Sequence, residues 1–430
     1  MVLALLWASS PGLAGAPPLW PAIKSSRGFT SRVAPGVTYS RYQLATADGS
    51  LSLYHLRVDL TDPTVRLGMG LAHDQLISAD ETVSSMVARA GAVAGVNGDF
   101  FDIGDSGMPL NIVVRDGRFL RSPSGWAALA MSRDGTLRIA HFEWNGSVVF
   151  PAINARYWLA GFNTGTVPDG IVAFSNIRGY GAPAPGPGVR QTVVDLAPVE
   201  TRRGWTVASP SLIAAPPPDD GLQYTVRQVW QQQAYYAPFP KGVLLLVGRG
   251  DAAAWLAQHV TAGMAVEVHL TTAPDWRGLH MAIGGGPILV EHGYPVDDPS
   301  SPVPRERNRR NPVLAAGLSK DGATLLLVAA DGRQPRLSMG LTQPQLAAYM
   351  RWLGAYEAMA FDSGGSVTMV ARFPGRPSPT VLNSPSDGHE RPVGNALLVF
   401  STAIAPAPVA PQAPQAPPGA VFTVPYSPSH

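Results

Sequence analysis

The 430-residue chain contains no cysteine. Disulfides and thiolate-held metals are therefore excluded, while the compartment is left open, because a chain of this length buries enough core to do without covalent staples. Charge is also scarce. Asp, Glu, Lys and Arg make up 14% of the residues, against about 25% in an average soluble domain. The formal net charge is +2 and no stripe of Lys and Arg interleaves with aromatics, so nucleic acid is not an expected partner. No apolar run is long enough to span a bilayer, and no transmembrane segment is expected. The dinucleotide glycine turn, the Walker loop, the His-Glu-x-x-His pair and the Gly-x-Ser-x-Gly elbow are all missing, and nothing calls for a cofactor. The acids Asp99, Asp102 and Asp105 lack the spacing of a calcium loop, so no metal is expected.

Apolar residues make up 45% of the chain, enough for a sizeable core. The opening MVLALLWASSPGLAGA carries an apolar run and then small residues, but no positive n-region; residues 1–16 read as a signal peptide or its remnant, placing the protein outside the cell or in the envelope. Residues 17–36 read as a linker, 37–402 as the folded part, and 403–430, with their repeated Ala-Pro units, as a disordered tail.

The order of elements predicts an α+β fold, a mixed, sheet-rich domain. Val37–Leu44 and Leu51–Leu60 form a hairpin about Asp48-Gly49. Ser78 with Glu81 reads as a capping box for a helix whose stripe is Val83, Met86, Val87 and Ala90, closed by Gly91. AVAGV (92–96) is a buried strand. Hairpins follow at 111–120 and 127–140, turning at Asp116-Gly117 and Asp134-Gly135. Residues 141–240 read as a loop-rich insertion that decorates the sheet or forms a small lobe, with loops at 183–187 and 216–220. Strands are expected at 242–248 and 264–270 around a short helix at 251–259. A second helix is capped by Thr342 and Gln345, buries Leu346, Tyr349, Met350 and Leu353, and joins strands 324–331 and 357–361 in a β-α-β unit. ALAMSRDGTLRI (128–139) echoes AAGLSKDGATLLL (315–327), as two related halves would, or as two hairpins obeying the same turn rules would by chance.

The chemistry concentrates where strand AMAF (358–361) delivers Asp362 into a glycine-rich turn, Ser363-Gly364-Gly365-Ser366, whose N–H groups suit an anion. Similar polar turns occur at 97–99, 331–333 and 383–391. Together GVNGDFF (95–101), AIGGGPILV (282–290), NPVLAAGLSKDGATLLLVAADGR (311–333), MGLTQPQLAAYMRWLGAYEAMAFDSGGSVTMV (339–370) and NSPSDGHERPVGNAL (383–397) resemble the phosphodiester glycosidase family as a divergent member. The likeness spans most of 95–397 in family order. Three departures stand out: Asp99 replaces a glycine, Val313-Leu314 replace Arg-Thr, and Ser363 replaces a glycine after Asp362.

The resemblance implies hydrolysis of the glycosidic C–O bond of a sugar-1-phosphodiester, in cell-wall or extracellular polysaccharide. A phosphate monoester leaves easily, so the demand falls on a carboxylate beside the developing oxocarbenium ion and on a base for water. Asp362 is the first candidate, with Asp99 as partner and Glu390 as a third; for Glu390 the alternative is an ion pair with Arg391. Arg310, Arg333 and Arg391 are candidate phosphate clamps. Gly364, Gly365 and Ser366 offer donors, and Asn97, Asn383, Asn395, Asp331 and Asp387 are further substrate contacts or turn caps. Phe100 and Phe101 read as core, and His280 as a packed, hydrogen-bonded residue. Two other functions compete: a non-catalytic carbohydrate-binding or envelope protein on the same fold, and a metal-assisted phosphodiesterase cutting P–O.

Overall fold

The computed structural model describes residues 20–178, 185–199, 221–232 and 240–402. The expected signal peptide, the Ala-Pro tail, residues 183–184 of one expected loop and all of the 216–220 loop lie outside them.

Most of the expected linker is not a linker. Ile23–Ala34 is a strand paired antiparallel with Val37–Thr46 around Pro35-Gly36, where Gly36 has φ +68°. The strand escapes a reading by alternation because it lies at a sheet edge with both faces largely solvated, so its sequence shows no period of two. The next hairpin is as expected, Val37–Thr46 with Ser50–Asp59. These strands begin an eight-stranded sheet that continues through Thr324–Ala330, Val313–Leu318, Glu357–Ala360, Ile288–Glu291 and Tyr294–Pro295.

In that sheet Val313–Leu318 pairs antiparallel with both neighbours, so Thr324–Ala330 and Glu357–Ala360 run parallel, joined by helix α1 (Gln343–Trp352). The capping box is formed: Thr342 Oγ1 accepts from Gln345 N–H, and the Gln345 side chain accepts from Thr342 N–H. Leu346, Tyr349 and Met350 pack on the sheet. The contact is close because Gly317 has no Cβ; one there would stand 2.6 Å from Met350 Cε.

A five-stranded sheet runs Thr380–Val381, Met369–Ala371, Ala94–Asn97, Asn395–Ser401, Val65–Leu71. It is covered by the helix Val83–Ala90, whose Val83, Met86 and Val87 are buried. Its N-cap is Thr82, accepting from Ser85 N–H, and not Ser78. The Glu81 carboxylate is occupied by His73 N–H, the Ser85 hydroxyl and Arg89, and the Ser78 hydroxyl donates to backbone carbonyls. Gly91, at φ +71°, ends the helix as expected.

A second five-stranded sheet runs Arg118–Arg121, Val113–Arg115, Leu279–Gly284, Ala127–Ser132, Leu137–His141. The echoed segments are both hairpins, but they lie in different sheets.

The insertion is a lobe of its own: seven strands between Ser147 and His269 close a barrel, completed where Ala265–His269 pairs with Ser147–Val149. The expected elements at 242–270 exist, but they belong to this lobe, whose boundary is therefore later than 240. Its apolar interior merges with Phe119, which stacks on Trp276 at 4.8 Å and on Phe162 at 5.8 Å.

Candidate functional site

Two strand tips from two different sheets meet end to end. Ala94–Asn97 delivers Gly98 and Asp99, and Glu357–Ala360 delivers Phe361 and Asp362. Asp362 N–H donates to Gly98 O at 2.9 Å, and the Asn97 side-chain amide donates to Asp362 O at 3.0 Å. Asn97 Oδ1 accepts from Thr368 N–H, and Asn395 Oδ1 from Asp99 N–H at 2.8 Å. Gly98 fits because a Cβ there would lie 2.5 Å from both Asn395 Oδ1 and Ile283. Asn97 and Asn395, 1% and 0% exposed, are thus pins between the tips.

Asp362 is partly exposed. Loss of hydration raises its pKa to about 6, against the pull of the Ser366 hydroxyl, the Ser363 N–H and the Arg391 charge. Asp99 is 1% exposed. Burial raises its pKa to about 8; the Asn111 N–H and Arg121 pull it down, while Asp362 pushes it further up. Its Oδ2 accepts from Asn111 N–H at 2.6 Å, and its buried Oδ1 has no protein partner. Gly284 leaves the room this carboxyl needs, since a Cβ would stand 2.5 Å from Asp99 Oδ2. The Asp362 charge thus adds to the burial that keeps Asp99 protonated.

The turn after Asp362 is flanked by two guanidinium groups. A Cβ on Gly364, whose φ is +69°, would lie 3.0 Å from Arg333 Nη2, and one on Gly365 would overlap both Arg391 and Asp387. Arg333, itself at φ +58°, donates through Nε to Asn311 Oδ1 at 3.2 Å; among the described residues no carboxylate pairs with it. Arg391 pairs with Asp387 at 2.6 Å and donates to Ser366 Oγ at 3.3 Å. Arg333, Arg391 and Asp387 thus stand beside the glycine turn that follows Asp362.

Other expected site residues do structural work. Asp331, 0% exposed, accepts from the Tyr54 hydroxyl at 2.6 Å, Ser384 N–H at 2.9 Å and the Asn383 amide at 3.3 Å. Burial raises its pKa against those donors. Asn383 also holds Val367 O and Met369 N–H. Glu390 accepts from the Ser84 N–H at 2.7 Å and from its hydroxyl, in the first turn of helix Val83–Ala90; it caps that helix, and the alternative pairing with Arg391 is not formed. Arg310 turns away to Asp48 at 2.7 Å. His280 is 44% exposed on its side chain beside Asp116, not packed. Phe101 is core, but Phe100 is half-buried, stands edge-on to Trp126, and lines a cleft with Ser363, Asn311, Glu306 and Arg309.

Four residues of the site have no signal of their own in the sequence. Asn111 bonds Asp99, Arg121 lies buried near it, Trp126 faces Phe100, and Asn311 holds Arg333. Only long-range pairing assembles them; Asn311 alone lay in a segment of the family resemblance. Among the described residues no three His, Asp or Glu side chains converge as metal ligands.

Asp362, Arg333 and Arg391 all lie within one family match. Residues 226–400 match the phosphodiester glycosidase family. The match includes the closing strands of the barrel, the centre of the large sheet and the whole Asp362 turn. Among solved structures, a hypothetical protein from Synechocystis aligns at 18% identity with a TM-score of 0.69, covering 88% of this chain and 64% of that one. The chain therefore spans less than two thirds of that relative. A Burkholderia pseudomallei protein inferred to be exported aligns at 21% identity and TM-score 0.69, covering 92% of this chain and 100% of that one. These likenesses are of fold. The zebrafish N-acetylglucosamine-1-phosphodiester alpha-N-acetylglucosaminidase catalytic domain, auto-inhibited by its pro-peptide, aligns at 14% identity and TM-score 0.42, covering 90% and 86%; so loose a superposition carries no residue-level argument. No curated protein matches the sequence.

Proposed function

We propose that the protein hydrolyses the glycosidic C–O bond of a sugar-1-phosphodiester. The observation that carries this reading is one turn holding a carboxylate, Asp362, with the guanidinium groups of Arg333 and Arg391 packed against its next glycines. Arg333 binds the phosphodiester and Arg391 completes the clamp. Asp362, ionised above about pH 6, faces the anomeric carbon and stabilises the oxocarbenium ion as C–O stretches. The bonding pair leaves with the phosphate monoester, water supplies oxygen to C1, and its proton passes to a carboxylate or to solvent. Asp99 keeps its proton to about pH 8, so it does not compete as a second anion. Phe100 and Trp126 offer an apolar wall to a sugar ring.

An extracellular setting is part of the same proposal. The N-terminal residues read as a signal peptide, one fold relative is inferred to be exported, and no helix of the described residues is long and apolar enough to cross a membrane. Cell-wall or exopolysaccharide phosphodiesters are then the accessible substrates.

The test is incubation with a panel of sugar-1-phosphodiesters in ¹⁸O-water, with products resolved by mass, beside Asp362→Asn. Label in the free sugar, lost in the variant, is the expected result. Label in the phosphate would mean P–O cleavage and overturn the reading. Folded protein that binds glycan without turnover would move the assignment to a carbohydrate-binding role.

A further inference from the structure

A slot of 460 Å³ lies away from Asp362, between the strand Val65–Leu71 and the turns carrying Asp116 and Gly135. Among the described residues that strand is a sheet edge, paired only with Asn395–Ser401. Ala72 N–H bonds Gly394 O and Thr402 N–H bonds Thr64 O at the two ends of the ladder. Antiparallel alternation then makes Arg66, Gly68 and Gly70 the residues bonded to the partner strand, and it turns the N–H and C=O of Leu67 and Met69 to the open edge. Gly98 N–H on Asn395 O and Val93 N–H on Val399 O fix the same parity from the other side of Asn395–Ser401.

The slot therefore offers bare main-chain groups beside apolar walls that include Leu60, Met131 and Phe400. Most of its rim charge is paired: Asp74 lies between Arg89 and Arg115, Arg115 also reaches Asp116, and Arg66 lies over the Phe400 ring. Such a site suits an uncharged, extended peptide added as a strand.

We propose that the occupant is the chain's own segment Ala420–Val424, Ala-Val-Phe-Thr-Val, pairing with the open edge of Val65–Leu71. The Thr402 N–H on Thr64 O places the chain's exit from the sheet at one end of the slot. Beyond Thr402, prolines at 406, 408, 411, 414, 417, 418, 425 and 428 remove the donors a ladder needs, and 419–424 is the longest run without one. That run is also rich in β-branched and aromatic residues, and 403–429 contain no charge. The spacer before it, at about 3.1 Å per residue when extended, reaches roughly 50 Å, several times what a neighbouring slot requires.

The test is amide hydrogen exchange on the intact chain, beside the full-length variants Val421→Pro and Thr423→Pro. Leu67 and Met69 amides are expected to be protected in the parent and to exchange at least tenfold faster in a variant, while Gly68 and Gly70 amides, bonded to Asn395–Ser401, stay unchanged and report an intact sheet. Fast exchange at Leu67 and Met69 in the parent, or no change in either variant, overturns the proposal. Protection that grows with protein concentration also overturns it, by assigning the edge to a second copy.

Discussion

Asp331 and Asp362 stand at the same end of one sheet, beyond the parallel strands Thr324–Ala330 and Glu357–Ala360. Each is followed by a glycine-bearing turn, and each has its pKa raised by burial. Their surroundings differ in one respect. Asp331 accepts three hydrogen bonds from Tyr54, Asn383 and Ser384, so both of its oxygens are committed to holding loops. Asp362 is held only by its own turn, through the Ser363 N–H and the Ser366 hydroxyl, is partly exposed, and has Arg333 and Arg391 packed against the glycines that follow it. A carboxylate whose lone pairs are filled by the fold is a fastener; one that is dehydrated but left open is a reagent.

The sharpest way to break the comparison is to neutralise each acid in turn. Asp362→Asn should reduce sugar-phosphodiester hydrolysis by about a thousandfold or more while leaving thermal stability nearly unchanged. Asp331→Asn should do the opposite. Its amide cannot accept from all three donors, so unfolding in denaturant should show a loss of about 2–3 kcal/mol, with kcat of the folded fraction within a few-fold. Equal kinetic damage in both variants would dissolve the distinction.

Asp99 sharpens the comparison because it is buried like Asp331 yet has one oxygen unmatched. With a folded pKa raised to about 8, its stabilising contribution is full below the unfolded carboxylate value and is lost as pH rises through 8. Asp99→Asn carries no such loss. Denaturation at pH 5 and pH 9 should therefore show the parent losing stability relative to the variant, and the alkaline limb of any hydrolysis profile should move in the variant. A parent and variant that track each other across that range would contradict the assignment. Smaller still is Glu390→Ala. Losing the cap on helix Val83–Ala90 should cost about 1 kcal/mol in thermal unfolding, with KM and kcat within twofold. A collapse of kcat in that variant would restore Glu390 to the chemistry.

These contrasts explain what the sequence could reveal. Periodicity and turn chemistry located the hairpins, the capped helix 343–352 and the strand before Asp362, because those are local choices. The family resemblance located the turn with Arg333 and Arg391, and the match at residues 226–400 supports it. What stayed hidden was how acids and amides are allocated. Asp331 and Asp362 look alike in sequence, and Tyr54, the partner that separates them, lies 277 residues from Asp331. Glu390 looked like an acid beside an arginine, but its partner Ser84 is 306 residues away. Most of the barrel reads from sequence only as a loop-rich insertion or small lobe, because Pro- and Gly-rich connections separate its strands. The first strand was read as a linker because an edge strand exposed on both faces has no reason to alternate.

That first strand has a consequence for how the molecules behave in a crowd. Among the described residues Ile23–Ala34 is the outer rail of the largest sheet, and an open rail of main-chain groups invites another chain to join. In a protein so sparing of charge it carries Lys24, Arg27 and Arg32 within twelve residues. Two copies brought rail to rail would set like charges against each other, so this border repels its own kind, and accumulation at high concentration need not end in fibres.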